Sequence, residues 1–197
     1  MRTLALGILF CLCCGSAYAQ NAIRQVDFKN FTYPVSGPTL GHDRLQWLSM
    51  SKPWHVRLVK GQDAEGSPAS GLPVFTLESV EYADVTGSGQ EEAIVVLHFR
   101  TGGTQQTDYV YLYAFTAGKP KLLAYFHSGD RAHSGLYKVY GENGTLVVEL
   151  LDPEKRSGEC CSEGFVRTRY KWHNGRFEVF GAREFGALVI EEHKPEP

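Results

Sequence analysis

Apolar and β-branched residues recur at every second position in short runs along this chain, each run closed by Gly, Pro, Asn or Asp. Such alternation marks half-buried strands, and the three-and-four spacing of an amphipathic helix is nearly absent. The runs predict strands at residues 26–33, 54–59, 74–82, 92–100, 108–116, 121–127, 136–141, 145–151, 165–173 and 176–181. Any helix is confined to residues 41–51, where Leu45 and Leu48 give a three-residue spacing. Residues 61–71 read as a polar Gly/Ser/Pro loop, and the charged, Pro-containing residues 191–197 as a disordered tail. The fold class that follows is mainly β. About ten strands joined by short turns make an antiparallel β-sandwich, or one strongly curved sheet, built from meander hairpins.

Two hairpins can be registered. Asn143-Gly144 and Asn174-Gly175 are type I′ turn dipeptides, which need positive φ at both central residues. Folding about Asn174-Gly175 sets Trp172 opposite Phe177, Lys171 opposite Glu178 and Tyr170 opposite Val179. Folding about Asn143-Gly144 sets Val139 opposite Val148, Lys138 opposite Glu149 and Tyr137 opposite Leu150. Each register joins an opposite-charge pair to apolar pairs, and a one-residue slip would destroy both patterns. Ala93-Ile94-Val95-Val96-Leu97 is apolar on both faces, so its strand belongs at the centre with cover on both sides. In the next strand Tyr109, Tyr111, Tyr113 and Phe115 alternate with smaller residues, as a packed aromatic layer would.

The first residues carry a different signal. Arg2 precedes an apolar run over residues 4–14, and Ala17-Tyr18-Ala19 offers small residues at the −3 and −1 positions of a cleavage site. As a helix the run spans about 16 Å, half a bilayer core. Residues 1–19 are therefore expected to be a signal peptide, with the mature chain beginning at Gln20 as a single β-rich domain over residues 20–190. Cys11, Cys13 and Cys14 lie in this leader, and none has the residues of a lipobox before it. The expectation is a soluble protein, secreted or periplasmic, without an integral membrane segment after cleavage. A formal charge of −2 gives no basic excess to hold nucleic acid.

Outside the leader two cysteines remain, the adjacent Cys160 and Cys161. In an oxidising compartment an even pair suggests a disulfide. Between neighbours that bond is an eight-membered ring which closes no chain loop, so it would stiffen the turn at 157–164 without restricting the unfolded chain. A redox or soft-metal dithiol and an intermolecular bridge are the alternatives.

Asp84-Val85-Thr86-Gly87-Ser88-Gly89-Gln90-Glu91-Glu92 joins two strongly patterned strands. It resembles, in one copy, the calcium loop of FG-GAP/VCBS-type β-repeats, D-x-[DN]-G-D-G-x-x-[DE]. The resemblance implies calcium ligands at Asp84, Ser88 and Glu92 and an adhesion-type role. Thr86 stands where the family has Asn or Asp, and Ser88 where it has Asp, so any calcium affinity is expected to be weak. Val95 at position 12 rules out an EF-hand. The residues by themselves also fit a metal-free turn whose Asp84 carboxylate caps the loop's own amides. No other cofactor is indicated.

His127, Asp130, Arg131 and His133 form the most polar His-bearing loop, residues 127–135. They are candidate ligand contacts, and a hydrolase centred there would need His127, Asp130 and His133 to converge in a concave pocket. Neither HExxH, a G-x-S-x-G elbow nor a P-loop occurs. Arg167, Arg169 and Lys171 alternate on one strand face and fit a solvated outer surface or an anion or partner site. The sequence thus favours an exported binding or envelope-accessory module with a protein or glycan partner over an enzyme.

Overall fold

The computed structural model describes residues 22–35, 46–47, 54–66, 74–101, 103, 106–130, 134–157 and 161–188. Its strands are, in chain order, β1 (Thr32–Val35), β2 (Gln46–Trp47), β3 (Trp54–Val59), β4 (Gln62–Asp63), β5 (Val74–Ala83), β6 (Glu92–Arg100), β7 (Gln106–Thr116), β8 (Lys119–Asp130), β9 (Leu136–Glu142), β10 (Thr145–Leu151), β11 (Arg156–Ser157), β12 (Cys161–Ser162), β13 (Gly164–His173), β14 (Arg176–Val179) and β15 (Glu184–Ala187). All pairings are antiparallel. The first sheet runs β1-β3-β4-β5-β6-β7-β8-β2, and the second runs β14-β13-β10-β9. The ten-residue β13 carries two partners along one edge, β15 beside its first half and β14 beside its second. Among the described residues no helix is long and apolar enough to cross a membrane.

The first sheet curls. β1 and β7 stand five places apart in its order, yet the Tyr33 and Tyr111 rings are 5.0 Å apart and the Tyr111 hydroxyl donates to the Pro34 carbonyl at 3.0 Å. Only a rolled sheet brings them together. Inside the roll, Phe75, Ala93, Val95, Leu97, Tyr109, Tyr111, Tyr113 and Tyr125 pack against Tyr33, Val35, Val56 and Leu58. The aromatic alternation of β7 is therefore a core layer. On the outer face Ile94, Val96, Val110, Leu112 and Phe126 meet Val139, Leu146, Val148, Tyr170 and Phe177 of the second sheet. β6 lies between these two cores with residues Ala93 to Leu97 all buried, as its unbroken apolar run requires.

Both Asn-Gly turns adopt positive φ at their two central residues. The β13–β14 register is the expected one, with Trp172, Lys171 and Tyr170 opposite Phe177, Glu178 and Val179. In β9–β10, Val139 and Lys138 do face Val148 and Glu149. Tyr137 does not face Leu150: an irregularity after Glu149 puts Leu136 there and turns Tyr137 toward Phe165, 5.3 Å between ring centroids. The charges also choose other partners. Glu149 accepts from Arg167 Nε at 2.7 Å and from the Tyr140 hydroxyl at 3.2 Å, while Arg169 pairs with Glu142 and Glu184. Arg167 and Arg169 thus belong to an ion-pair ladder across β9, β10, β13 and β15.

Two assignments need correction. Residues 26–33 do not form one strand: Asp27 accepts from the Lys29 and Asn30 amides and winds Phe28–Asn30 into a 3₁₀ turn before β1 begins. Within residues 41–51, Gln46–Trp47 is a strand on β8, and the helical turn among the described residues is at 22–24 instead. The remainder of 41–51, the leader at 1–19 and the tail at 191–197 lie outside the described residues.

Candidate functional site

β6 turns polar after Leu97, and β7 starts polar before Tyr109. Their register places His98 directly opposite Asp108, so both side chains project from the outer face of the first sheet, beyond the apolar core. His98 Nδ1 lies 2.7 Å from Asp108 Oδ1. Nδ1 donates to the carboxylate, and Nε2 is an acceptor only in the neutral ring. Burial pushes the Asp108 carboxyl above its usual range; the His98 bond and charge pull it down, and the Glu78 charge raises it further. The Ser128 hydroxyl accepts from the Asp108 amide at 3.1 Å and fixes the main chain beneath the pair.

Beside this pair the ladder of β5 slips after Leu77, so Glu78 becomes an extra residue and Ser79 falls opposite Val96. Glu78, Ser79, Glu81, Val96, His98 and Asp108 line one wall of a cleft of about 650 Å³. The facing wall is Leu136, Tyr137, Lys138, Val139 and Tyr140 of β9. The two walls meet at one end, where Gly141 abuts Ala83 and Val85 so closely that an added Cβ would stand 2.3 Å from the Ala83 Cβ. Three carboxylates stand against the single ammonium of Lys138, so the cleft presents an acidic field with an imidazole and two phenols in it.

In the loop at 84–92 the Asp84 carboxylate accepts from the Ser88 amide (3.0 Å) and the Gly89 amide (2.8 Å), which is the amide-capping geometry. Glu92 is buried, and its carboxylate accepts from the Val85 amide (2.9 Å), the Thr86 amide (3.2 Å) and the Thr86 hydroxyl (3.0 Å). Burial outweighs these bonds and leaves its carboxyl raised. Ser88 Oγ lies 2.9 Å from Thr86 Oγ1. The three residues of the calcium resemblance are therefore all engaged by the loop itself. Among the described residues no three His, Cys, Asp or Glu side chains group as metal ligands would.

In the 127–135 loop, His127 belongs to β8 and points into the roll, its ring 5.5 Å from that of Tyr109. Its Nδ1 donates to the Ser128 carbonyl at 2.8 Å, and its Nε2 is buried with no partner among the described residues, as is the Tyr125 hydroxyl two residues before it. Asp130 accepts from the Gln106 amide at 3.0 Å, at the far end of the β7–β8 ladder. Arg131 and His133 lie outside the described residues, as does Cys160; Cys161 contributes its main chain to β12.

The sequence reading missed His98, Asp108, Glu78 and Glu81. One signal was present for the first two: Gly103 is the midpoint between His98 and Asp108, so a hairpin centred on Gly103 pairs them. Comparison with protein-family models, with curated proteins and with solved structures finds no match for this chain.

Proposed function

We propose that this chain is an exported binding module and that the inter-sheet cleft holds a cationic group of its ligand. The observation that supports this reading is the placing of Glu78, Glu81 and the His98–Asp108 pair on one wall of a cleft of about 650 Å³. Asp108 has a hydrogen-bonded imidazole beside it, while Glu78 and Glu81 are exposed and free to meet a cation at low desolvation cost. A hydrolase centred on His127 is the second reading, and the buried, unpartnered Nε2 of His127 is what favours it. Against it, the other ring nitrogen and the Asp130 carboxylate both serve main-chain groups at the strand ends. A weak calcium module would have to take Asp84 and Glu92 from the amides they already cap.

Titration of the isotopically labelled protein with spermidine at low salt tests the binding reading. Amide shifts concentrated at His98, Asp108 and residues 136–140 are expected, and they should shrink as salt is raised. Shifts scattered over the surface, or none, would overturn it.

A further inference from the structure

The two walls of the cleft differ in kind. From the first sheet it takes residues that share a face, Ser79 and Glu81 on β5, Val96 and His98 on β6 and Asp108 on β7, with Glu78 added where the β5 ladder slips. From β9 it takes five consecutive residues, Leu136 through Tyr140. Side chains alternate across a strand, so alternate residues line a face and consecutive residues line an edge. The cleft is therefore the open edge of β9 standing over the face of the first sheet. β9 is the last strand of its sheet, and among the described residues nothing but β10 pairs with it. Half of its backbone N–H and C=O groups point away from β10, toward the cleft.

We infer that an extended, basic peptide segment binds by adding a strand to β9 along residues 136–140. This rests on the cleft being the binding site, and it names the ligand class. Five residues of edge offer about 17 Å of ladder, at 3.4 Å per residue. A strand laid there turns every second side chain toward Glu78, Glu81 and Asp108, so Lys or Arg at alternate positions matches the wall charge for charge. The other set of side chains faces outward past Tyr137, whose exposed ring is stacked on Phe165 and suits an apolar residue. Main-chain bonds supply affinity in such a mode, and the alternate side chains supply selectivity. Lys138, the one cation on β9, lies over the Tyr137 ring. The Gly141–Ala83 contact closes one end of the groove, so the added strand lies between Tyr140 and the Leu136 end.

The probe is an acetylated, amidated Lys-Val-Lys-Val-Lys peptide, compared with spermidine and with two derivatives N-methylated on the backbone, one at the lysines and one at the valines. Hydrogen exchange and amide shifts on the whole protein give the readout. Strand addition expects alternate amides within residues 136–140 to slow on binding. One N-methylated derivative should lose affinity by about tenfold or more, because only one set of peptide amides faces β9, while the other binds like the parent. Which set fails reports whether the strand enters parallel or antiparallel. The E78Q/E81Q double variant, altering two exposed side chains, should weaken the parent peptide by about tenfold as well. If neither derivative loses affinity, or both lose it equally, strand addition is wrong while the cationic cleft stands. If the peptide and spermidine both leave the cleft amides unmoved, the proposed function falls with it.

Discussion

Replacing Glu92 separates two reasons for burying a carboxylate in the 84–92 loop. In the folded chain its oxygens accept from the Val85 amide, the Thr86 amide and the Thr86 hydroxyl at 2.9, 3.2 and 3.0 Å. Val85 is fully buried, so E92A leaves its N–H with no acceptor and no access to water. One such orphaned group costs about 1–3 kcal/mol; Thr86, only partly buried, regains some of its loss from solvent. We expect E92A to lose about 3 kcal/mol in urea titrations, or about 6–12 °C in melting temperature for a chain of this size. E92Q should lose less than about 1 kcal/mol, because one amide oxygen can take both backbone donors. Its NH₂ group donates to Thr86 Oγ1, and the Thr86 proton turns to Ser88, 2.9 Å away. The pH dependence has a definite sign. Burial raises the Glu92 carboxyl, so the folded state holds that proton more tightly than the unfolded chain does. Its contribution is greatest below the usual carboxylate range and is lost as pH rises through that range to the raised folded value; E92Q removes this loss. If E92Q proves as damaging as E92A, the negative charge itself holds the loop. A bound cation would then be the first suspect, to be checked by melting the wild type with 1 mM calcium and with chelator, which the capped geometry expects to differ by less than about 5 °C.

Four further outcomes follow from named contacts. R167A strips the buried Glu149 carboxylate of its 2.7 Å guanidinium partner and should cost about 2–4 kcal/mol by urea titration, part of which E149L/R167M recovers; a loss below about 0.5 kcal/mol would place Arg167 among ordinary surface pairs. G141A drives a methyl to 2.3 Å from the Ala83 Cβ and should destabilise by about 1–3 kcal/mol while shifting the amides of residues 136–140; unchanged amides there would show that the contact does not set the cleft. Y125F removes a buried hydroxyl that has no partner among the described residues and should be neutral or stabilising by about 1 kcal/mol, whereas a clear loss would reveal a bound water or ligand group inside the roll. D108N should remove the part of the fall in stability that accompanies rising pH above the usual carboxylate range, since burial raises the Asp108 carboxyl; an unaltered pH profile from chemical denaturation would contradict this.

Local chemistry explains which parts of the fold could be read in advance. Asn143-Gly144 and Asn174-Gly175 take positive φ together, a requirement few other dipeptides meet, so both hairpins are pinned by their turns. The run from Ala93 to Leu97 demands cover on two faces wherever it is placed, and the structure gives it an aromatic core on one side and a second sheet on the other. The irregularity after Glu149 leaves no such mark, because displacing one residue changes which side chains are neighbours without changing the composition of the run. The partner of Glu149 was hidden for a related reason. Lys138 is its cross-strand neighbour through a registered turn, but Arg167 is its neighbour on the other side, in β13, across the longer connection at 152–163. Register between hairpins is set by packing, and packing is a property of the whole.

The cleft depends most on such non-local terms. Its acidic wall needs three things at once: the β6–β7 pairing that sets His98 against Asp108, the slip after Leu77 that turns Glu78 and Ser79 toward it, and a termination of the apolar core at Val96. Its other wall belongs to β9, and reaches the first sheet because Gly141 lacks the Cβ that Ala83 would exclude. That close approach, with the core packed around Val139, fixes where the β9 edge stands over the first sheet. A larger residue at position 141 would push the two strands apart at this contact and widen the cleft. The glycine at 141 is therefore coupled to recognition as well as to stability. Weaker Lys-Val-Lys-Val-Lys binding in G141A, beyond what its loss of folding free energy accounts for, is the measurement that separates the two.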